Sequence, residues 1–247
     1  MHALLQQTDH RTAALPGGPW IMKQTWHDLL FAHWAIAPEL IRPLVPAELE
    51  IDLFERQAYI AVVPFWMSGI RARGAPPLPG LSSFPELNVR TYVLYRGVPG
   101  VYFWSLDAAS LPAVWSARVA YGLPYLHAAM SIKSLGENLE YSSRRLQAPR
   151  PAEFCGRYRP IAPPQRREKG SVEHFLTERY CLYTVCNGRV SRASIHHLPW
   201  PLQNAEAEIE INTMARAAGI ELPQAQPLLH FARELDVLVW WPKRLSK

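Results

Sequence analysis

The sequence predicts an α+β fold that consists mostly of antiparallel β-strands with a few short helices. It has 23 prolines in 247 residues. They are spread over almost the whole chain and leave only short apolar stretches between them, which favours strands and loops over long helices. Several segments alternate apolar and polar residues with period two, as half-buried strands do. Strands and helices do not alternate regularly, so a doubly wound parallel sheet is not expected.

A polar leader of about 20 residues precedes the predicted domain. It ends in the cluster Pro16-Gly17-Gly18-Pro19, which interrupts regular structure. We expect a flexible N-terminal leader over residues 1–20 and a single domain over residues 21–247, because β-rich domains often reach about 250 residues.

The clearest strand prediction covers residues 89–95. Extended geometry places Arg90 and Tyr92 on one face of this segment, and Thr91 and Val93 on the other. Nine further segments show comparable patterns, which brings the prediction to ten strands. They cover residues 59–65, 101–106, 127–132, 139–145, 154–158, 179–186, 189–195, 206–211 and 235–241.

Three short helices are predicted, over residues 38–45, 112–121 and 213–218. The second has the clearest local signals. Ser110 is a candidate N-cap, Pro112 lies in the first turn, and Gly122 ends the helix. Trp115 and Val119 are apolar residues four positions apart, which is the spacing of one helix face.

Charge and hydropathy exclude two classes of partner. The net charge of +5 comes from arginines that are dispersed along the chain, whereas nucleic-acid binders concentrate basic residues in one patch, so no nucleic acid is expected. The longest apolar run, over residues 58–66, is far shorter than the roughly 20 residues of a membrane span, so no membrane is expected. The N-terminus lacks the apolar core of a signal peptide, and we expect a cytoplasmic protein.

No cofactor and no metal are expected from the motifs. The sequence lacks the nucleotide-binding, zinc-peptidase and serine-hydrolase signatures. Its three cysteines form no CxxC pair. His196 and His197 are adjacent, and neighbouring residues on a strand point to opposite faces, so they would chelate poorly.

Four polar residues, Glu86, Asn88, Arg90 and Tyr92, share one face if the strand begins early. On a cavity wall, Arg90 would bind a carboxylate or phosphate through its planar guanidinium, and Glu86 would transfer protons. The alternative is an outer face with a local ion pair. A buried guanidinium keeps its charge and needs an anion, for which Glu86 and Glu178 are the internal candidates.

Two runs are the most specific parts of an ordered series of segments: Asn-Val-Arg-Thr-Tyr at residues 88–92 and Leu-Thr-Glu-Arg-Tyr at residues 176–180. With them, the series over about residues 22–242 resembles the YqjF-like uncharacterised domain family. That family is placed in the acetoacetate decarboxylase-like superfamily. The resemblance therefore implies an antiparallel β-barrel or cone that encloses a small-molecule cavity and carries a few short helices.

The sequence differs from the decarboxylases at one motif. Their Gly-Phe-Pro-Lys-Lys motif supplies a lysine that forms a Schiff base with a β-keto acid. The similar stretch here reads Gly-Leu-Pro-Tyr-Leu at residues 122–126, and Tyr125 cannot form an imine. The resemblance thus implies a cavity in which Glu86, Arg90 and Tyr125 meet without a Schiff base. If the protein is an enzyme, Tyr125 is expected to donate to a carbonyl oxygen.

Three functions remain open at this point, and an enzyme is only one of them. The first is an acetoacetate decarboxylase-like protein that binds a small organic ligand, with an anion as one option. The second is a lyase or decarboxylase that acts on a small keto acid through a displaced Lys133 or Lys23. The third is a structural protein with a filled barrel. The sequence sets neither the ligand nor the oligomeric state.

For the first function, the candidate residues fall into two groups. Glu86 and Tyr125 are the candidate catalytic residues. The candidate ligand-binding residues are Asn88, Arg90, Tyr92 and Glu178.

Overall fold

The computed structural model describes residues 2–146 and 150–245, in which thirteen strands form one large sheet. The predicted fold class, mostly antiparallel strands with a few short helices, is confirmed. The strands are β1 (Met22–Ile36), β2 (Glu50–Ile51), β3 (Ala58–Ala72), β4 (Phe84–Tyr95), β5 (Val98–Ala108), β6 (Tyr125–Leu135), β7 (Asn138–Arg145), β8 (Glu153–Pro160), β9 (Cys181–Cys186), β10 (Arg189–His196), β11 (Gln203–Asn212), β12 (Leu228–Val239) and β13 (Lys243–Arg244).

The sheet turns back on itself. Its strands follow the order β13-β10-β9-β5-β6-β7-β8-β11-β12-β1-β3-β4-β2, and two further pairings, β4 with β5 and β10 with β12, join strands that are distant in this order. In the described part of the chain, β5 pairs in parallel with β6 and β9, and the other strand pairs are antiparallel. Strand β5 therefore has one antiparallel neighbour, β4, and two parallel neighbours, β6 and β9.

All ten predicted strands are present, and β1, β2 and β13 were not predicted. Strand β1 escaped prediction because both of its faces are buried, which removes the polar alternation that reveals a strand. It lies between β12 and β3. Leu30 and Ala32 enter one core cluster, whereas Leu29 and Phe31 enter another.

Over residues 2–146 and 150–245, four short α-helices accompany the sheet: α1 (Pro38–Ile41), α2 (Leu111–Tyr121), α3 (Val172–Thr177) and α4 (Met214–Ala217). The predictions for α1, α2 and α4 are confirmed, although α1 continues as a 3-10 turn over Arg42–Leu44. The Ser110 hydroxyl caps α2, and Gly122 ends it with φ of +63°, a conformation that glycine adopts without steric cost. Helix α3 was not predicted.

The leader contacts the sheet through several hydrogen bonds. It contains a 3-10 helix over Ala3–Gln6. Arg11 donates to the carbonyl oxygen of Ile195 at 2.9 Å, and His10 Nε2 lies 2.8 Å from the carbonyl oxygen of His197. Within the described residues, no helix is long and apolar enough to cross a membrane.

Candidate functional site

A mostly apolar cavity of about 130 Å³ lies between the sheet and helix α2. For comparison, an apolar protein cavity of about 150 Å³ accommodates one benzene molecule. The strands that supply its walls come from distant parts of the chain. Its polar lining includes Glu86, Asn88, Arg90, Tyr125, Arg179 and His197.

Strand β4 supplies three of the polar residues, Glu86, Asn88 and Arg90. They face the cavity together because alternate residues of a strand share one face. Strand β4 pairs with β3 on one side and with β5 on the other. A register shift opposite Val89 and Arg90 leaves Trp104 of β5 without a partner on β4, so the alternation of β4 itself is preserved.

Tyr92, the fourth residue of the predicted polar face, is not a lining residue of this cavity. Its side chain is fully buried, and its hydroxyl lies 2.6 Å from His33 Nε2. Burial lowers the pKa of His33 well below its usual value, so this imidazole is neutral near pH 7. Tyr92 therefore shares the face of β4 with the other three residues and contacts Arg90, but it lies outside the lining of the cavity.

Glu86 and Tyr125 form a buried hydrogen-bonded pair. The Tyr125 hydroxyl donates to Glu86 Oε2 at 2.7 Å. Strand β6 begins at Tyr125 and pairs with β5, which in turn pairs with β4, so the two side chains come from strands that are not neighbours. The predicted meeting of these two residues depends on this parallel pairing, which no local pattern reveals.

Burial sets the protonation of both members of this pair. It raises the pKa of Glu86 to about 7, although hydrogen bonds from Tyr125 and Asn88 favour the ionised form. Burial and the adjacent Glu86 raise the pKa of Tyr125 well above its usual value, so the phenol keeps its proton. Glu86 is thus a carboxyl group that exchanges a proton near neutral pH, where a general acid or base is most effective.

Arg90 has no ion-pair partner in the described part of the chain. Its Nε is buried and makes no hydrogen bond. The guanidinium carbon lies 5.3 Å from the ring centre of Phe31 and 5.8 Å from that of Tyr92, with which it also hydrogen-bonds. The residue as a whole is partly buried, and the described residues supply no carboxylate to its guanidinium.

The two carboxylates considered as partners for Arg90 both pair elsewhere. Glu86 accepts the hydrogen bond from Tyr125. Glu178 is buried but does not line the cavity, and it accepts hydrogen bonds from the Tyr180 hydroxyl and, at 3.1 Å, from the backbone N–H of Trp200.

Arg179 is a second guanidinium on the cavity wall, and sequence reasoning missed it. It pairs with Asp52 at 2.5 Å and donates to the carbonyl oxygen of Phe175 at 2.6 Å. The Leu-Thr-Glu-Arg-Tyr run marks this segment in the sequence, but the predicted ligand-binding residue is Glu178, which precedes Arg179. Since Arg179 is already paired, Arg90 is the lining guanidinium that has no ion-pair partner among the described residues.

Two further lining residues carry buried polar atoms without partners in the described chain. They are the donor Trp26 Nε1 and the acceptor Asn88 Oδ1. Buried polar atoms in proteins are normally hydrogen-bonded. Together with Arg90 Nε, these atoms would suit a small ligand that has both donor and acceptor groups.

No lysine of the described residues lines the cavity. Lys23 pairs with Asp236 at 2.7 Å, and Lys133 is exposed on β6. Lys247 lies outside the described residues. The position that resembles the Schiff-base lysine of the decarboxylases is Tyr125, which does line the cavity.

The adjacent histidines have different surroundings. His196 contacts Arg11 and the carbonyl oxygen of Leu4. His197 lines the cavity, and burial lowers its pKa to about 4, so it is neutral near pH 7. Across residues 2–146 and 150–245, no group of three or more His, Cys, Asp and Glu side chains is arranged to hold a metal ion.

Comparisons with known proteins agree with the resemblance seen in the sequence. The family model DUF2071, described as "Uncharacterized conserved protein", matches residues 23–236. The uncharacterized protein YqjF of Bacillus subtilis (strain 168) is 47% identical over 237 residues, which cover 96% of this chain and 98% of YqjF.

Two solved structures share the fold. Acetoacetate decarboxylase from Legionella pneumophila matches with a TM-score of 0.66 and 13% identity, over 95% of this chain and 91% of that chain. The enduracididine biosynthesis enzyme MppR, complexed with pyruvate, matches with a TM-score of 0.62 and 10% identity, over 95% and 93% of the respective chains. At such low identity the likeness concerns the fold alone. The family match and the close relative are decisive for membership, and the chain belongs to the DUF2071 family of uncharacterised conserved proteins, with an acetoacetate decarboxylase-like fold.

Proposed function

We propose that this protein binds a small carboxylate in the cavity. Any reaction of this carboxylate proceeds without Schiff-base chemistry. Arg90 is the anchor, because a guanidinium binds a carboxylate through two parallel hydrogen bonds. The observation that carries the proposal is the unpaired Arg90 on a mostly apolar cavity wall whose carboxylate, Glu86, is already bonded to Tyr125.

The Glu86–Tyr125 pair supplies the proton chemistry in this proposal. Protonated Glu86 carries no negative charge and no longer attracts the Tyr125 hydroxyl. The hydroxyl then donates to a carbonyl oxygen of the ligand. The ionised form of Glu86 accepts a proton from the ligand. Asn88 orients Glu86 through the hydrogen bond between their side chains.

Two observations support a small carboxylate group in the cavity itself. The cavity volume of about 130 Å³ is similar to that of cavities that hold benzene. The structural relative MppR is described in complex with pyruvate, a small carboxylate. No lysine among the described lining residues is available for an imine, which disfavours the lyase alternative through Lys133 or Lys23.

The deciding experiment measures binding of acetate, pyruvate, acetoacetate and butyrate by calorimetry and by thermal melts. Wild type should bind at least one of them, and Arg90→Met should lose this binding with little change in melting temperature. Arg96→Met is the matched control, because Arg96 is exposed in the turn after the same strand and the charge change is equal.

Two results would count against this function. If Arg90 is structural, Arg90→Met should destabilise the fold by roughly 3 to 5 kcal/mol, and none of the carboxylates should stabilise wild type. That outcome would favour a structural protein. Incubation with acetoacetate or pyruvate and sodium borohydride should give no mass adduct, whereas an adduct mapped to Lys133 or Lys23 would favour the lyase.

A further inference from the structure

An open groove of about 670 Å³ lies directly beside the cavity, between α2 and residues 73–83. Leu78 and Leu81 line it from that segment, and Ala113, Ser116 and Ala120 line it from α2. Arg71 is its one charged lining residue among the described residues, and most of the others are apolar. The groove therefore offers an apolar surface beside a cavity that contains charged groups.

The groove and the cavity share part of their walls. The residues that line both are Met22, Gln24, Met67, Ala117, Tyr121 and Tyr125. Tyr125 is also the hydrogen-bond partner of Glu86. A ligand that extends past Tyr125 would therefore leave the cavity and enter the groove.

Large apolar side chains at this groove are exposed to solvent. The exposed fraction is 61% for Leu78, 47% for Leu81 and 59% for Trp241. Trp241 stacks against Tyr121, which belongs to the wall shared by the two spaces. Clustered exposed apolar side chains of this kind mark a binding surface.

We infer that the ligand is an amphipathic carboxylate, with its head on Arg90 and an unbranched apolar chain in the groove. Medium-chain fatty acids and their oxo derivatives have this chemistry. The cavity accommodates only the head and the first few carbons, and the groove takes the remainder of the chain. This inference rests on the proposed function, since it requires the carboxylate to bind at Arg90.

A single ligand that occupies both the cavity and the groove accounts for the unpaired Arg90 and for the exposed apolar groove. A protein partner in the groove accounts only for the latter. A second copy of the chain would cover Leu78 and Leu81 but would leave Arg90 without an anion. An amphipathic carboxylate pairs Arg90 and removes the apolar groove surface from water at the same time.

The experiment measures the dissociation constants of butyrate, hexanoate, octanoate and decanoate by calorimetry, below their micelle concentrations. Each methylene that leaves water should strengthen binding about fourfold, so octanoate should bind about 250-fold more tightly than butyrate. Arg90→Met should weaken binding of every member of the series.

A matched pair of variants locates the chain. Ser116→Trp places an indole in the groove, and Ser116 is exposed with its hydroxyl bonded only to its own helix at Ala113. Octanoate should then bind no more tightly than butyrate, while butyrate binding stays unchanged. Val119→Trp adds the same side chain to the same helix at a position that is 81% exposed and lines neither space, and it should alter neither affinity.

The possible failures are distinguishable. If butyrate binds through Arg90 but affinity does not rise with chain length, or if Ser116→Trp leaves octanoate binding intact, this inference is wrong and the proposed function stands. If no carboxylate binds, both are wrong. If wild type is a dimer by light scattering and Ser116→Trp dissociates it, a second copy occupies the groove and the inference is overturned.

Discussion

Glu86 shows how burial changes the titration of an ordinary carboxylic acid. Its side chain is almost completely buried, and removal from water disfavours the charged form more than the hydrogen bonds from Tyr125 and Asn88 favour it. The result is a pKa of about 7 in the folded protein. The shift also makes the free energy of unfolding depend on pH, because the Glu86 carboxyl group is not buried in the unfolded chain.

We therefore expect Glu86→Gln to change how stability depends on pH. The folded protein holds the Glu86 proton up to a pKa of about 7, whereas the unfolded chain releases it near 4.5. Between these values the unfolded state binds fewer protons, so rising pH destabilises wild type through this residue, by about 3 kcal/mol in total. Urea denaturation from pH 4.5 to 8 should show the variant gaining this amount relative to wild type.

The exposed Glu39 on α1 provides the control for this measurement. Glu39→Gln should follow the wild-type pH profile. Parallel profiles for Glu86→Gln and wild type would show that Glu86 titrates at its ordinary pKa and would contradict the assignment of a proton-transfer role.

Asp107 and Arg145 form a buried ion pair close to the cavity wall. Arg145 binds both carboxylate oxygens at 2.9 Å, and the exposed fractions of the two side chains are 5% for Arg145 and 0% for Asp107. Arg145→Met should destabilise the protein by roughly 3 to 5 kcal/mol, since it leaves a buried charge unpaired. The neighbouring Arg144 is exposed, so Arg144→Met should change the free energy of unfolding by less than about 0.5 kcal/mol. Equal effects in denaturant titrations would contradict the buried pair.

At the scale of elements, the parallel contact between β5 and β9 depends on a glycine. A Cβ atom on Gly100 would lie 2.6 Å from the Tyr183 ring and 2.7 Å from the carbonyl oxygen of Cys181. Both distances are shorter than van der Waals contact, and the backbone oxygen of a paired strand cannot move away easily. The two strands can approach each other only because residue 100 has no side chain.

Gly100→Ala should therefore destabilise the protein by about 1 to 3 kcal/mol, the usual cost of overpacking. Gly17→Ala is the matched control, because a Cβ atom at Gly17 would meet nothing within 4 Å. Thermal and urea unfolding of both variants would compare them. A Gly100→Ala variant as stable as Gly17→Ala would show that β5 and β9 separate without cost.

Helix α2 illustrates which features of an element are local. Ser110, Pro112 and Gly122 predicted its bounds correctly, because capping and termination depend on residues next to the helix end. The apolar pair Trp115 and Val119 indicated a helix face, yet both side chains are exposed, by 61% and 81%. The side chain of α2 that is buried is Val114, since the position of the sheet determines which face of the helix packs.

At the scale of the whole molecule, the leader is joined to the place where the end of β10 pairs with the end of β12. Trp240 donates to the carbonyl oxygen of Gly18 at 3.0 Å, and His196 Nε2 lies 2.8 Å from the carbonyl oxygen of Leu4. The bonds from Arg11 and His10 join the same region. We propose that residues 21–247 form one domain that folds without this leader but is stabilised by it.

Removal of residues 1–20 should leave a cooperative unfolding transition and lower the free energy of unfolding by about 5 kcal/mol. The figure follows from five lost hydrogen bonds at a net value of about 1 kcal/mol each. Denaturant titration followed by circular dichroism would measure it. A truncated chain without a cooperative transition would contradict a domain that begins at residue 21.

The sequence by itself determined the features that depend on neighbours along the chain. Period-two alternation predicted ten strands and placed Glu86, Asn88 and Arg90 on one face of β4, where they line the cavity. The stretch at residues 122–126 showed that Tyr125, rather than a lysine, stands where the decarboxylases have their Schiff-base residue.

Only the tertiary structure decided which distant residues meet. It bonded Tyr125 to Glu86 across the parallel pairing of β5 and β6, brought Arg179 to the cavity wall, and left Tyr92 and Glu178 outside the cavity lining. Local patterns fix which side of a strand a residue faces, but the pairing and register of strands far apart in the chain depend on packing of the whole sheet. The chemistry of the cavity depends on those long-range pairings.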